Sequence, residues 1–225
     1  MAGKVSSYLC GATVQAAPHI GHVRSSLNFD LLSRWLSRGH GYEVTFVRNV
    51  TDIDDKILNN AIKEDLPWWA LSMKYERDFA DAYRALNCLL PTYEPRATGH
   101  ITQMIALMER LIDLGHAYAP GNGDVYFSVR SYDKYLSLSG QKLDDLQPAS
   151  DSDRLEETPL KKDPRDFALW KSAKSGDPSW PTHWVPGRRA WHPQWSGMAK
   201  AYGGERFGFC GGGVALALHR PDSPM

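Results

Sequence analysis

The chain has 225 residues, of which 42 % are hydrophobic and 23 % charged, with 26 basic side chains against 26 acidic ones. That length suffices for one large or two modest domains with a real core, and the balance excludes disordered and collagen-like chains. Zero net charge argues against a tight, nonspecific nucleic-acid binder, although a local basic face would not show in the total.

Val5 to Cys10 is short and apolar and runs into Gly11-Ala12-Thr13, which predicts a buried strand ending in a loop. From His22 to Leu36 the residues Val23, Leu27, Leu31, Leu32, Trp35 and Leu36 recur at helical spacing, and Gly39 supplies the stop. Tyr42 to Val50 alternates like a strand, so a right-handed crossover makes it parallel to the first. Ile57 to Lys63 reads as helical. Pro67 opens another helix, whose stripe includes Trp68, Trp69, Leu71, Met73, Tyr75, Phe79, Tyr83 and Leu86 and whose tryptophans are expected in the core. His100 to Leu114 predicts a further amphipathic helix, stopped by Gly115. Pro120-Gly121-Asn122-Gly123 separates two strand candidates and predicts a hairpin. Residues 131 to 165 are polar and read as exposed loops, and Phe167-Ala-Leu-Trp170 restores apolar character.

No apolar run approaches the ~20 residues that cross a bilayer, and Met1-Ala-Gly-Lys leads into a strand rather than an apolar signal core. A cytoplasmic protein without a membrane partner is expected. Cys10, Cys88 and Cys210 are odd in number and widely spaced, so thiols or metal ligands are a better expectation than disulfides.

Pro18-His19-Ile20-Gly21-His22 lies between the first strand and the first helix, where backbone N–H groups and the helix dipole favour a phosphate. Gly21 would admit a nucleotide close to the backbone, and His19 and His22 can stabilise charge on a transferring phosphate. The same spacing also fits one histidine capping the helix and the other in solvent. Asn49-Val-Thr-Asp-Ile-Asp-Asp-Lys56 ends the second strand, and in open parallel sheets both loops face one crevice at the strands' carboxyl ends.

Four segments together resemble cysteinyl-tRNA synthetases, which are class I aminoacyl-tRNA synthetases: Cys10-Gly-Ala-Thr-Val-Gln, Pro18-His-Ile-Gly-His22, Arg48-Asn-Val-Thr-Asp-Ile-Asp-Asp-Lys56 and Pro164-Arg-Asp-Phe-Ala-Leu-Trp-Lys171. The resemblance runs over roughly residues 5 to 200 and implies an α/β, Rossmann-like nucleotide-binding fold with a parallel sheet interrupted by an inserted connective segment. It implies a first half of the catalytic domain over 1–115, the connective segment over 116–165, and the start of a truncated second half over 166–225. Such enzymes activate cysteine with ATP to cysteinyl-adenylate and pass it to tRNA(Cys). By resemblance His19, Gly21 and His22 bind ATP, with His19 and His22 catalytic, while Cys10, Thr51 and Trp191 meet the amino acid. A zinc ion would bind the substrate thiolate, because serine differs from cysteine only in lacking the soft sulfur donor. Cys10 matches the first zinc ligand.

The later motifs depart from the family. Gly187-Arg-Arg-Ala-Trp-His-Pro-Gln-Trp-Ser-Gly-Met198 places Trp195 where a ligand cysteine is expected, and the segment after Gly208-Phe-Cys-Gly-Gly-Gly213 places Arg220 and Pro224 at the ligand histidine and glutamate. None of the three can hold zinc, although Cys10, Cys210, His219 and Asp222 could be imagined as a rearranged set. The chain as it stands is expected to be truncated, defective in catalysis and open to association through an exposed sheet edge. Two other readings are a noncatalytic nucleotide- or tRNA-binding module and a cysteine ligase of the mycothiol type.

Overall fold

The computed structural model describes residues 3–137, 142–145, 160–184, 187–189, 191–203 and 208–212. It divides into two units, one formed by Met1–His100 with Met198–Gly213, the other by Ile101–Gly197 with Val214–Met225.

The first unit is built on a parallel sheet. β1 (Lys4–Leu9) passes through α1 (Ile20–Arg34) to β2 (Glu43–Arg48), and β7 (Phe209–Gly211) lies on the other side of β1, giving the order β2-β1-β7. Both pairings are parallel, with Tyr8 opposite Val47 on one side and Cys210 on the other. Because the chain leaves β1 towards β2 while β7 flanks it opposite, the carboxyl end of β1 is a switch point of strand order, the place where open α/β sheets receive ligands. Residues 93–96 run parallel beside the free edge of β2 through bridges from Val47 to Tyr93 and from Val50 to Arg96.

α2 (Asp55–Lys63) begins at Asp54, whose side chain accepts the Lys56 N–H as a helix cap. α3 (Trp68–Ala85) follows Pro67 and packs on α2, and Leu71, Phe79 and Tyr83 join Val14, Val50, Ile57 and Ala61 in the core. Trp68 is partly buried there, but Trp69 is exposed, so only one of the two tryptophans serves the core as expected.

α1 differs from the expected stripe. Leu31 and Trp35 face solvent, while Val23, Ser26, Asp30 and Ser33 are buried. Asp30 explains the choice: its carboxylate accepts the Leu89 N–H at 2.8 Å and pairs with Arg34 at 2.7 Å, so a polar face is satisfied where apolar periodicity pointed elsewhere. The helix ends in a π turn over Trp35–Gly39.

The second unit holds α4 (Ile101–Asp113) and an antiparallel sheet of β3 (Ala117–Tyr118), β4 (Val125–Phe127), β5 (Phe167–Ser172) and β6 (Gly187–Arg189), in that order. The expected hairpin forms, with Gly121 and Gly123 at positive φ in its turn. Asp166 is fully buried and accepts from the Val129 N–H, the Asp163 N–H and the Tyr118 hydroxyl, which ties the loop before β5 to the hairpin. Burial, ahead of the Asp166 carboxylate, pushes the Tyr118 phenol well above its ordinary range. α5 (Trp191–Gly203) follows β6. Among the described residues no helix is long and apolar enough to cross a membrane.

Candidate functional site

β1 ends at Leu9, and the chain turns outward through Cys10 and Gly11 between its two neighbours. The Cys10 N–H donates to the Gly211 carbonyl at 3.0 Å, which fixes this turn to β7. On the other side the Gly11 N–H donates to Asn49 Oδ1 at 3.1 Å, and Asn49 Nδ2 donates to Thr51 Oγ1 at 3.3 Å. Asn49 is 3 % exposed and Thr51 1 %, so this bridge is formed in a dry setting where each hydrogen bond is costly to lose. A Cβ on Gly11 would sit 1.7 Å from the Asn49 carbonyl oxygen, and no residue but glycine fits there. Thr51 closes the ladder, donating its N–H to the Ala12 carbonyl and accepting the Val14 N–H. Cys10 and Thr51, expected in one pocket, thus lie on adjoining turns at neighbouring strand ends, joined through Asn49. A cavity of about 60 Å³ behind this joint is lined by Gly11, Asn49, Val50, Glu76, Phe79 and Tyr83, among others.

Arg48, just before Asn49, is buried, pairs with Glu94 at 2.7 Å and lies 4.1 Å over the Tyr83 ring. Burial raises the Tyr83 phenol, against the pull of Ser26 and the Arg48 charge. Asp52, just past Thr51, accepts both the N–H and the hydroxyl of Thr98. The loop that carries Thr51 is therefore anchored on both flanks.

The His19-Ile-Gly-His22 loop opens α1. Nδ1 of His19 accepts the Gly21 N–H at 3.1 Å, and Nδ1 of His22 accepts the His19 N–H at 3.3 Å, so the two imidazoles cap the helix reciprocally. Both histidines, not one, act as caps. Gly21 leaves room for the first of these: a Cβ there would lie 3.0 Å from the His19 ring and press it aside by a few tenths of an ångström. The rings lie 3.8 Å apart, and His22 also meets Phe79 of α3 edge-on at 5.1 Å. Burial, and then the neighbouring His19, lower the His22 pKa below the ordinary histidine value. His19 and Gly21 remain exposed at the helix N-terminus, where the helix dipole favours an anion.

Trp191 opens α5 and Trp195 follows one turn on, but the placement of these side chains lies outside the described residues, as do His219, Arg220, Asp222 and Pro224. Cys210 stands exposed on β7 opposite Tyr8. The side chains at the positions that the resemblance gives to zinc do not fit the ion: an indole at 195, a guanidinium at 220 and a proline ring at 224 offer no lone pair that zinc takes, and of those four positions Cys10 alone carries a ligand-type side chain. Among the described residues no group of three or more His, Cys, Asp or Glu could hold a metal ion.

Sequence reasoning missed Asn49, Phe79 and the Asp52–Thr98 contact. Asn49 stood within a quoted segment, but nothing in its spacing indicates that it reaches back to Gly11.

A parallel sheet with a switch point at β1, a glycine-tight turn beside it and a histidine-capped helix start define a nucleotide-type α/β protein. The chain belongs to the class I tRNA synthetases, for the profile of the tRNA synthetases class I (C) catalytic domain family matches residues 1–222. Within that class it is similar to cysteine–tRNA ligases. That of Streptomyces coelicolor is 60 % identical over 215 residues, covering 95 % of this chain and 34 % of the relative. Those of Streptomyces avermitilis and Streptomyces griseus subsp. griseus are 56 % and 57 % identical, each with 45 % of its length covered. The chain thus spans less than half the length of these relatives. Among solved structures, Mycobacterium tuberculosis methionyl-tRNA synthetase bound by methionyl-adenylate matches 51 % of this chain and 23 % of its own, at 25 % identity and a TM-score of 0.47.

Proposed function

We propose that this chain carries the adenylate-forming region of a cytoplasmic cysteine–tRNA ligase, the enzyme that activates cysteine with ATP for transfer to tRNA(Cys), and that it keeps nucleotide binding while having lost cysteine activation. The observation that supports nucleotide binding is the capped start of α1, where the His19 and His22 imidazoles stand together at one helix end in the field of the helix dipole. In this reading the loop holds the ATP phosphates, Gly21 lets them approach the backbone, and Cys10 and Thr51 border the amino-acid side of the crevice. Zinc in such enzymes supplies thiolate recognition. The donors at positions 195, 220 and 224 speak against it here, and they favour a noncatalytic nucleotide-binding role over full charging.

The purified chain should bind ATP in equilibrium dialysis, with His19→Ala reducing the affinity about tenfold or more. Cysteine-dependent exchange between pyrophosphate and ATP should not rise above the His19→Ala background, and clear exchange above it would refute the loss of activation. Elemental analysis should find zinc far below one equivalent per chain. Trp195→Cys alone should not raise it, since Arg220 and Pro224 still provide no donor.

A further inference from the structure

Two imidazoles at a phosphate site can work in opposite ways. As imidazolium ions they attract phosphate by charge, and as neutral rings they offer one N–H donor each while the other nitrogen is left as an acceptor. Which form operates depends on what the second nitrogen does. Here both second nitrogens are engaged: Nδ1 of His19 takes the Gly21 N–H at 3.1 Å, and Nδ1 of His22 takes the His19 N–H at 3.3 Å. A nitrogen that accepts an N–H cannot itself carry a proton, because two donors would then point at each other.

From this geometry we infer that His19 and His22 act as neutral rings protonated at Nε2, locked in that tautomer by the backbone N–H groups their Nδ1 atoms accept, so that the loop presents a phosphate with uncharged donors rather than two cations. The inference rests on the reading of this loop as a phosphate site, which it deepens by naming the protonation state that binds.

Three further observations point the same way. The rings lie tilted with centroids 3.8 Å apart, a separation at which two positive charges would repel strongly. α3 turns the uncharged Phe79 ring to His22, with Asp78 and Asp81 flanking that ring in sequence and Glu76, a turn before it, held by Arg96 at 2.8 Å. The proton affinity of His22 is lowered first by burial and then by His19. The lock is also mutual: the backbone amide that His22 accepts belongs to His19, whose own ring holds Gly21. Protonating either Nδ1 therefore opens the cap that positions the other.

The test reads the rings directly. The full chain is prepared with ring-¹⁵N-labelled histidine, and long-range ¹H–¹⁵N spectra are recorded near pH 7.5 without nucleotide, His19→Asn and His22→Asn identifying the two signals among the 8 histidines. Each should show a bare Nδ1 and a protonated Nε2. An Nδ1–H tautomer or a doubly protonated ring at either position overturns the inference. If one variant fails to fold, the glutamine substitution at the same position replaces it, and the other variant still identifies its own ring, whose tautomer alone can overturn the inference. A second arm measures the affinity for Mg-ATP from about pH 8 down to about pH 5.5, across the ordinary histidine value. Affinity that holds or falls on acidification agrees with neutral donors, whereas a rise of about tenfold means that the cations bind and overturns the inference. If the spectra show the Nε2–H rings but ATP does not bind at any pH, the proposed nucleotide function fails and the tautomer assignment stands.

Discussion

At the scale of single residues, the site depends on contacts too close to tolerate one added atom. Gly11 is the clearest case, its missing Cβ replaced by the Asn49 carbonyl oxygen. Gly11→Ala must push the two strand ends apart and break the Asn49 bridge to Thr51, so a loss of about 1–3 kcal/mol is expected in urea unfolding. Gly99→Ala is the control. Nothing lies within 4 Å of a Cβ built there and its φ is not positive, so its stability should stay within about 0.5 kcal/mol of the parent. Equal losses at the two positions would mean that the close approach at Gly11 relaxes freely.

At the scale of elements, the second unit shows how charge organises loops that composition reads only as polar. Asp163 accepts the Arg165 N–H at 2.9 Å and pairs with Arg165 Nε at 2.9 Å and Arg130 Nε at 2.6 Å. Burial works against its ionised form, but the Arg165 backbone N–H and the two guanidinium groups outweigh it and hold the carboxyl down at about 2. A carboxylate whose folded pKa lies below its unfolded one stabilises the fold above the unfolded value. That contribution should fade as the pH falls from about 4 through about 2, and Arg130→Gln should flatten this acid limb when unfolding is followed by tryptophan fluorescence. An unchanged acid limb in the variant would show that Arg130 does not set the carboxyl.

Elements were legible to different depths. β1, β2, the hairpin and α4 were readable because short apolar runs, glycine turns and period-3.6 patterns are local signals. The buried face of α1 was not, because Ser26, Asp30 and Ser33 are placed by partners distant in sequence, as Leu89 is for Asp30. The candidate site divides in the same way. His19, Gly21 and His22 announce themselves in one loop, whereas Asn49 becomes a joint only once β2 lies beside β1 and brings it to Gly11.

At the scale of the whole molecule, β1 is paired on both sides and β2 is flanked by residues 93–96, while β7 ends the described strand order. Phe209 on β7 is 44 % exposed. An exposed aromatic side chain on a short terminal strand favours association unless charge replaces it. The chain should therefore self-associate in a concentration-dependent way in sedimentation velocity, and Phe209→Lys should shift it towards monomer without altering the far-ultraviolet spectrum. A monomer at all concentrations would show that this edge is covered.

Gly211 adds a consequence for how that last strand is laid down. A Cβ on it would fall 1.8 Å from the tip of the Phe29 ring on α1, so the ring crosses the strand at a point where any larger residue must displace it. Side chains alternate across a strand, so the shifts that keep its faces are shifts of two residues. In one direction such a shift brings Gly213 under the ring and meets no obstacle, whereas in the other it brings Phe209, whose ring cannot share the space. Phe29 thus works as the pawl of a ratchet, and errors of alignment between β7 and β1 should accumulate in one direction only.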